Sequence, residues 1–125
     1  MSKKKAVVCE QDATLARILK HLLGKQGFAV SDADDGTRGL ALIRSAKPSL
    51  VVLGLELSGN DGAAVLRELR GAAGAKPYAI VLTAHESKER HAQATAAGAR
   101  EVWTKPFSAA KLLARLEALA QQGKV

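Results

Sequence analysis

Four stretches of this sequence end in side chains able to do chemistry. Cys9, Glu10 and Gln11 follow the apolar run AVVC. Gly54, Leu55 and Glu56 lie within LVVLGLELSGNDG. Thr83 closes YAIVLT with Ala84 after it, and Lys105 and Pro106 follow REVWT. The set holds a thiol, two carboxylates, a hydroxyl and an ammonium. A carboxylate can act as a nucleophile or bind a hard metal, and a thiol beside a lysine is biased towards thiolate. Buried thiols, however, mostly serve as small hydrophobes, and that is the reading adopted for Cys9. The residue at the tip of the third run, Gly54, has no side chain to contribute.

Such groups must be positioned by regular elements, and hydrophobic periodicity locates them. Short β-rich runs at 6–9, 28–33, 50–55, 78–83 and 100–104 alternate with helical patterns at 14–27, 36–47, 62–73, 87–98 and 108–122. In the first helix Leu15, Ile18, Leu19 and Leu22 share a face, with Gly27 just past its end; in the last, Leu112, Leu116 and Leu119 do so. Asp35 and Ser87 are expected to cap the second and fourth helices, and Pro48 follows the second. The runs 50–55 and 78–83 are continuously apolar, as in strands buried on both faces. Strict alternation of strand and helix predicts a parallel sheet covered on both sides. In open sheets of this kind ligands bind beyond the carboxyl ends of the strands, where all four reactive stretches fall. GAAGAK (71–76) reads as a flexible turn and the tail QQGKV as a frayed end.

Composition narrows the class. The 125 residues suit one domain, 1–125, with no linker and no repeat. Aromatics are only 3%, so the core must come from Val, Leu, Ile and Ala. No run reaches the roughly 18 apolar residues of a membrane span, and MSKKKAVV lacks the apolar stretch of a signal peptide. The single cysteine cannot form an internal disulfide, which points to a reducing cytoplasm. The net charge of +7 would attract nucleic acid or an acidic protein surface. Its basic residues are spread along the chain with no nucleic-acid-binding signature, so nucleic acid is not the expected partner.

In order and spacing these stretches resemble the receiver domain of two-component response regulators, over nearly the whole chain. KPSLVVLGLELSGNDG resembles that family's run from proline through the phosphoacceptor strand into a Gly-x-Asp-Gly loop. VLTAH resembles its strand ending in Thr-Ala, and AAGAREVWTKPF its Gly-Ala motif, switch position and Lys-Pro-Phe. The resemblance implies a flavodoxin-like (βα)5 doubly wound parallel sheet of strand order 2-1-3-4-5, with a cis Lys105–Pro106 peptide.

Departures concentrate in the site that the resemblance defines. The family's acidic pair reads Cys9-Glu10, and its phosphoacceptor aspartate aligns with Gly54. Thr83 and Lys105 are kept, while the switch aromatic aligns with Val102; Trp103 should point to the opposite face of the strand. Gly54 cannot attack phosphorus. Of the Mg²⁺ ligands the resemblance implies, only Glu10 and the carbonyl of Glu56 remain, so Mg²⁺ binding is expected to be weak or absent, and no other cofactor is expected. Glu10 should pair with Lys105 in a partly exposed bridge contributing about 0–1 kcal/mol. Thr83 should be a satisfied strand-end hydroxyl, Asp61 a turn residue, and His85 a surface residue at the pocket mouth.

The expectation is therefore a degenerate (pseudo-)receiver domain, a phosphorylation-independent protein-interaction module rather than an enzyme. Its contact face would be segment 87–122, with Lys88, Arg90, Arg100, Lys111 and Arg115 facing another signalling protein with an acidic surface, or a second copy of the chain. Trp103 is the one strong aromatic anchor there, with a partly packed strand residue as its plainer role. The alternative is a receiver phosphorylated on a non-standard acid, Asp61, Glu56 or Glu10. A flavodoxin-type cofactor domain is disfavoured, because CEQDAT has no glycine to cradle phosphate and carries two acids.

Overall fold

Five parallel strands form one sheet in the order β2-β1-β3-β4-β5: β1 (Lys4–Cys9), β2 (Phe28–Ala33), β3 (Leu50–Gly54), β4 (Tyr78–Thr83) and β5 (Glu101–Thr104). Helices α1 (Ala13–Lys25), α2 (Gly36–Ala46), α3 (Gly62–Gly71), α4 (Lys88–Ala97) and α5 (Ala109–Gln121) alternate with them. The structure, a computed structural model, describes residues 4–71, 74 and 76–125. Residues 72, 73 and 75 of the turn expected at 71–76 lie outside these. The flavodoxin-like architecture and strand order are those expected.

Alternation along the strands divides the core into two layers. Val7, Cys9, Val51, Leu53 and Val81 face α2, α3 and α4, where Leu40, Ile43, Val65, Leu66 and Ala94 meet them. Ala6, Val8, Val52, Ile80 and Leu82 face α1 and α5, against Leu19, Leu23, Leu112, Leu116 and Leu119. Both faces of β3 and β4 are buried, which is why their sequences read as unbroken apolar runs. In β5 the alternation turns Val102 towards the first layer and Trp103 towards the second.

The register brings the carboxyl ends level: Cys9 pairs with Leu53, Gly54 with Leu82, and Thr83 with Thr104. Polar caps then start the helices at this same edge. Asp12 accepts from the Thr14 and Leu15 N–H groups, Asp35 from Arg38, Ser87 from Arg90 and Ser108 from Lys111. Each such cap is worth on the order of 0.5–2 kcal/mol. Two glycines allow the loops to close over the edge. A Cβ on Gly36 would lie 1.6 Å from the Asn60 carbonyl oxygen, and one on Gly62 would lie 2.4 Å from that of Gly54.

Three expectations need correction. In α1 the buried stripe is Ala16, Leu19 and Leu23; Ile18 is 46% exposed, because the helix turns Leu19, not the midpoint of Leu15–Leu22, to the sheet. β3 ends at Gly54, one residue early, since the chain bends at Leu55. The tail does not fray: Lys124 donates its N–H to the Leu119 carbonyl, and Val125 is buried against the α1/α5 layer.

Candidate functional site

At the carboxyl edge the side chain of Glu10 turns inward and is only 3% exposed. Its Oε1 accepts from the Asp12 N–H (3.2 Å) and from Lys105 Nζ (3.1 Å). Oε2 also lies 3.1 Å from Lys105 Nζ, but in no hydrogen-bond geometry; it is buried without a donor. The expected Glu10–Lys105 pair therefore exists, but its description as partly exposed is wrong for the carboxylate. Lys105 retains 26% exposure, so one partner is dry and the other wet. The Lys105–Pro106 peptide is cis.

Glu10 also explains the surroundings of Gly54. A Cβ built on Gly54 would lie 3.0 Å from Glu10 Oε2, 3.4 Å from Leu57 Cδ2 and 3.5 Å from the Cys9 carbonyl oxygen. Backbone conformation does not require glycine there, because its φ is not positive. What crowds a side chain at 54 is the buried carboxylate of Glu10. An aspartate there would meet a like charge at close range.

Cys9 takes no part in this pocket. It is fully buried, and its Sγ packs on α2, where a Cβ on Gly39 would come within 2.4 Å of it. Burial, followed by the negative charges of Asp35, Asp32 and Glu10, pushes its thiol up to about 12. The bias towards thiolate that Lys105 would give is thus overruled, and Cys9 is a small core residue.

A second carboxylate organises the other half of the site. Glu56 accepts from the buried Thr83 hydroxyl (3.0 and 3.1 Å to its two oxygens), from the Ala84 N–H (3.1 Å) and from Arg90 Nη2 (2.9 Å). Thr83 Oγ1 in turn accepts from the His85 N–H at 3.2 Å. Burial raises the Glu56 carboxyl, but the bonds from Ala84, Arg90 and Thr83 outweigh it and hold the group below the usual carboxylate range. This four-residue cluster is not visible in the sequence. Glu56, Thr83 and Arg90 stood out separately, but no spacing links residues 27 and 34 positions apart.

Asp61 is exposed and caps α3, accepting from the Ala64 N–H at 2.8 Å. Among the described residues, no three His, Cys, Asp or Glu side chains come together to hold a metal ion.

On the 87–122 segment several expected contact residues are already engaged. Arg90 turns into the pocket to Glu56. Arg115 Nε donates to Glu101 Oε2 at 2.7 Å, and Tyr78 donates its hydroxyl to the same oxygen at 2.5 Å. Burial raises the Glu101 carboxyl, but bonds from Tyr78, Trp103 and Arg115 bring it below the usual range. Arg100 stacks over the Tyr78 ring at 4.8 Å, at the far end of β5. Trp103 is half-buried, edge-on to Phe107 at 5.8 Å, and donates Nε1–H to Glu101. Lys88 and Lys111 are exposed. His91 bonds Thr104 Oγ1 through Nε2 at 3.1 Å.

No helix among the described residues is long and apolar enough to cross a membrane. The family profile of the response regulator receiver domain matches residues 6–117. The chain is 35% identical over 118 residues to Response regulator MprA of Mycobacterium tuberculosis, covering 94% of this chain and 51% of that protein. It thus spans about half the length of these relatives. Among solved structures it superposes with a TM-score of 0.84 on the receiver domain of Francisella response regulator 1452 (27% identity, 96% of this chain and 98% of that one). It superposes with a TM-score of 0.81 on the BeF3-activated N-terminal receiver domain of RstA from Klebsiella pneumoniae (32% identity, 92% and 97%). Sheet order, the carboxyl-edge pocket and the family match converge, and the chain belongs to the response regulator receiver domain family of two-component signalling.

Proposed function

We propose that this chain is a degenerate receiver that signals by protein contact without aspartyl phosphorylation. The observation that carries the reading is at position 54: it offers no carboxylate, and the Glu10 carboxylate lies within 3.0 Å of where a side chain would begin. Phosphoryl transfer to a receiver needs a free carboxylate oxygen in line with phosphorus. The three acids that could most readily substitute, Glu10, Glu56 and Asp61, are each committed elsewhere. Glu10 is bonded to Lys105 and the Asp12 N–H, Glu56 to Thr83, Ala84 and Arg90, and Asp61 to the start of α3. By the resemblance, Thr83 is the hydroxyl that a phosphoryl group would engage; here the Glu56 carboxylate engages it.

Weak or absent Mg²⁺ binding belongs to the same reading. A hard divalent ion wants several oxygen ligands. Residue 54 supplies none, Cys9 Sγ faces α2, and an ammonium already lies 3.1 Å from both Glu10 oxygens. These residues do not fit the ion.

The partner in this reading is another signalling protein with an acidic surface, or a second copy, docking on α4, β5 and α5. Lys88 and Lys111 carry the contact, since Arg90 and Arg115 are held by internal partners and Arg100 lies at the opposite end of β5. Intact-mass measurement after incubation with acetyl phosphate and Mg²⁺ tests the central claim. The expected result is no phosphoryl adduct on the natural chain. A stoichiometric adduct would overturn the reading, and the modified residue would identify the acceptor. Gly54→Asp, run alongside, is expected to remain poorly modified until Glu10 is shortened or removed.

A further inference from the structure

The sequence scatters its basic residues, but the fold gathers many of them at the edge of the sheet opposite the pocket. All five strands run the same way, so helix ends and strand starts meet there. Nine of the twelve acids sit at the carboxyl edge or in the first helical turns beside it; the exceptions are Glu68, Glu101 and Glu117. Two adjoining cavities open at the amino edge. One, of about 610 Å³, is rimmed by Lys47, Lys124 and Arg44, the last of which also pairs with Glu68 at 3.2 Å, over a floor of Ile43, Pro48, Leu69 and Pro77. The other, of about 300 Å³, shares Leu69, Lys76 and Pro77 and adds Arg70 and Arg100. No Asp or Glu lines either one among the described residues.

Helix macrodipoles account for part of this charge, since Arg44 and Arg70 lie in the last turns of α2 and α3. They do not account for Lys76 and Arg100, which precede β4 and β5, nor for an apolar floor between the cations. We propose that this groove is a docking site for an acidic polypeptide segment carrying aliphatic side chains. The rim matches carboxylates and the floor matches Leu, Ile or Val. A nucleic acid strand fits less well. Base stacking needs open aromatic faces, no aromatic residue lines either cavity, and the nearby Tyr78 ring is buried beneath Arg100. The groove lies at the end of the sheet opposite Lys88 and Lys111, so the site is separate from the contact face proposed above.

The test is fluorescence anisotropy at low and physiological salt with a labelled twelve-residue peptide of alternating Glu and Leu. The natural chain is compared with Lys47→Glu/Lys124→Glu and with Lys88→Glu/Lys111→Glu, two variants of equal net charge, each checked for folding by circular dichroism. The groove variant is expected to bind about tenfold or more weakly, and the other variant within about twofold of the natural chain. Absence of binding by the natural chain overturns the proposal. So does equal loss in the two variants, which would mean diffuse attraction to net charge. Loss confined to Lys88→Glu/Lys111→Glu overturns it too, while supporting the contact face. A duplex DNA of twenty base pairs that binds more tightly than the peptide and is lost with the groove variant would reassign the groove to nucleic acid and overturn the proposal.

Discussion

Glu10 governs the residue scale. Its carboxylate is buried with one oxygen lacking a donor, and Lys105 is the cation beside it. Removing one partner of a buried pair strands the other, a cost of about 3–5 kcal/mol in a fully dry site. Because Lys105 keeps a quarter of its exposure, Lys105→Met is expected to cost about 2–3 kcal/mol by urea denaturation. The double variant Glu10→Gln/Lys105→Met should recover most of that loss. If Lys105→Met instead left stability unchanged, water would have to reach Glu10 and the buried-pair account would fail. Cys9 makes a different prediction. A thiol pushed up to about 12 and packed on Gly39 is not a nucleophile near neutrality. Iodoacetamide at pH 8 should leave the native protein unlabelled by intact mass and add one group only in denaturant.

The Glu56 carboxyl adds a pH dependence with a definite sign. Its folded value lies below the ordinary glutamate value of 4.5, so the ionised form stabilises the fold above that value. The contribution is lost as pH falls through the lower, folded value. Glu56 is a third exposed, so the effect is small, under about 1 kcal/mol. Glu56→Gln should flatten the decline of the urea midpoint below pH 4.5, and an unchanged acid limb would show that the Thr83, Ala84 and Arg90 bonds do not persist in solution.

At the scale of elements, α4 is the least anchored helix. It buries only Ala94 and Ala97, whereas α1 and α5 each bury at least two leucines. Its hold on the rest of the molecule depends on the Ser87 cap, the Arg90–Glu56 pair and the His91–Thr104 bond. Elements with few buried apolar contacts open locally first. Hydrogen exchange should therefore be faster across α4 than across α1 or α5. Glu56→Gln should quicken α4 further while leaving α1 unchanged; an effect spread evenly over all helices would refute the tether. The element boundaries were largely legible in the sequence, because Asp35 and Ser87 are capping residues and Pro48 and Gly27 are stops. The buried face of α1 was not. Ile18 and Leu19 are both apolar, and which of them meets the sheet depends on how the helix sits on β1 and β2.

For the whole molecule, one sheet carries both core layers, so loss of packing on either side should unfold the same unit. Leu53 sits in the layer of α2, α3 and α4, and Leu116 in that of α1 and α5; both are essentially fully buried. Leu53→Ala and Leu116→Ala are each expected to cost about 2–5 kcal/mol. Both should show one cooperative transition by near- and far-UV circular dichroism. Two separated transitions in either variant would mean that the layers fold independently. The fold class, a parallel sheet covered on both faces, came directly from the alternation of apolar runs and helical patterns, since strands buried on both faces and helices with one apolar stripe admit few arrangements; the strand order came from the resemblance to receiver domains. Gly54, Thr83 and Lys105 could likewise be assigned to one edge from sequence, because parallel strands bring their carboxyl ends together. Only the tertiary structure decided which groups meet there: that Glu10 is buried beside position 54, that Glu56 takes Thr83 and Arg90, that Cys9 faces α2, and that scattered lysines and arginines converge on the opposite edge. The physical reason is range. Periodicity and capping are local and leave a trace within a few residues, whereas side-chain pairing across strands depends on register and loop closure and leaves no pattern in the order of the residues.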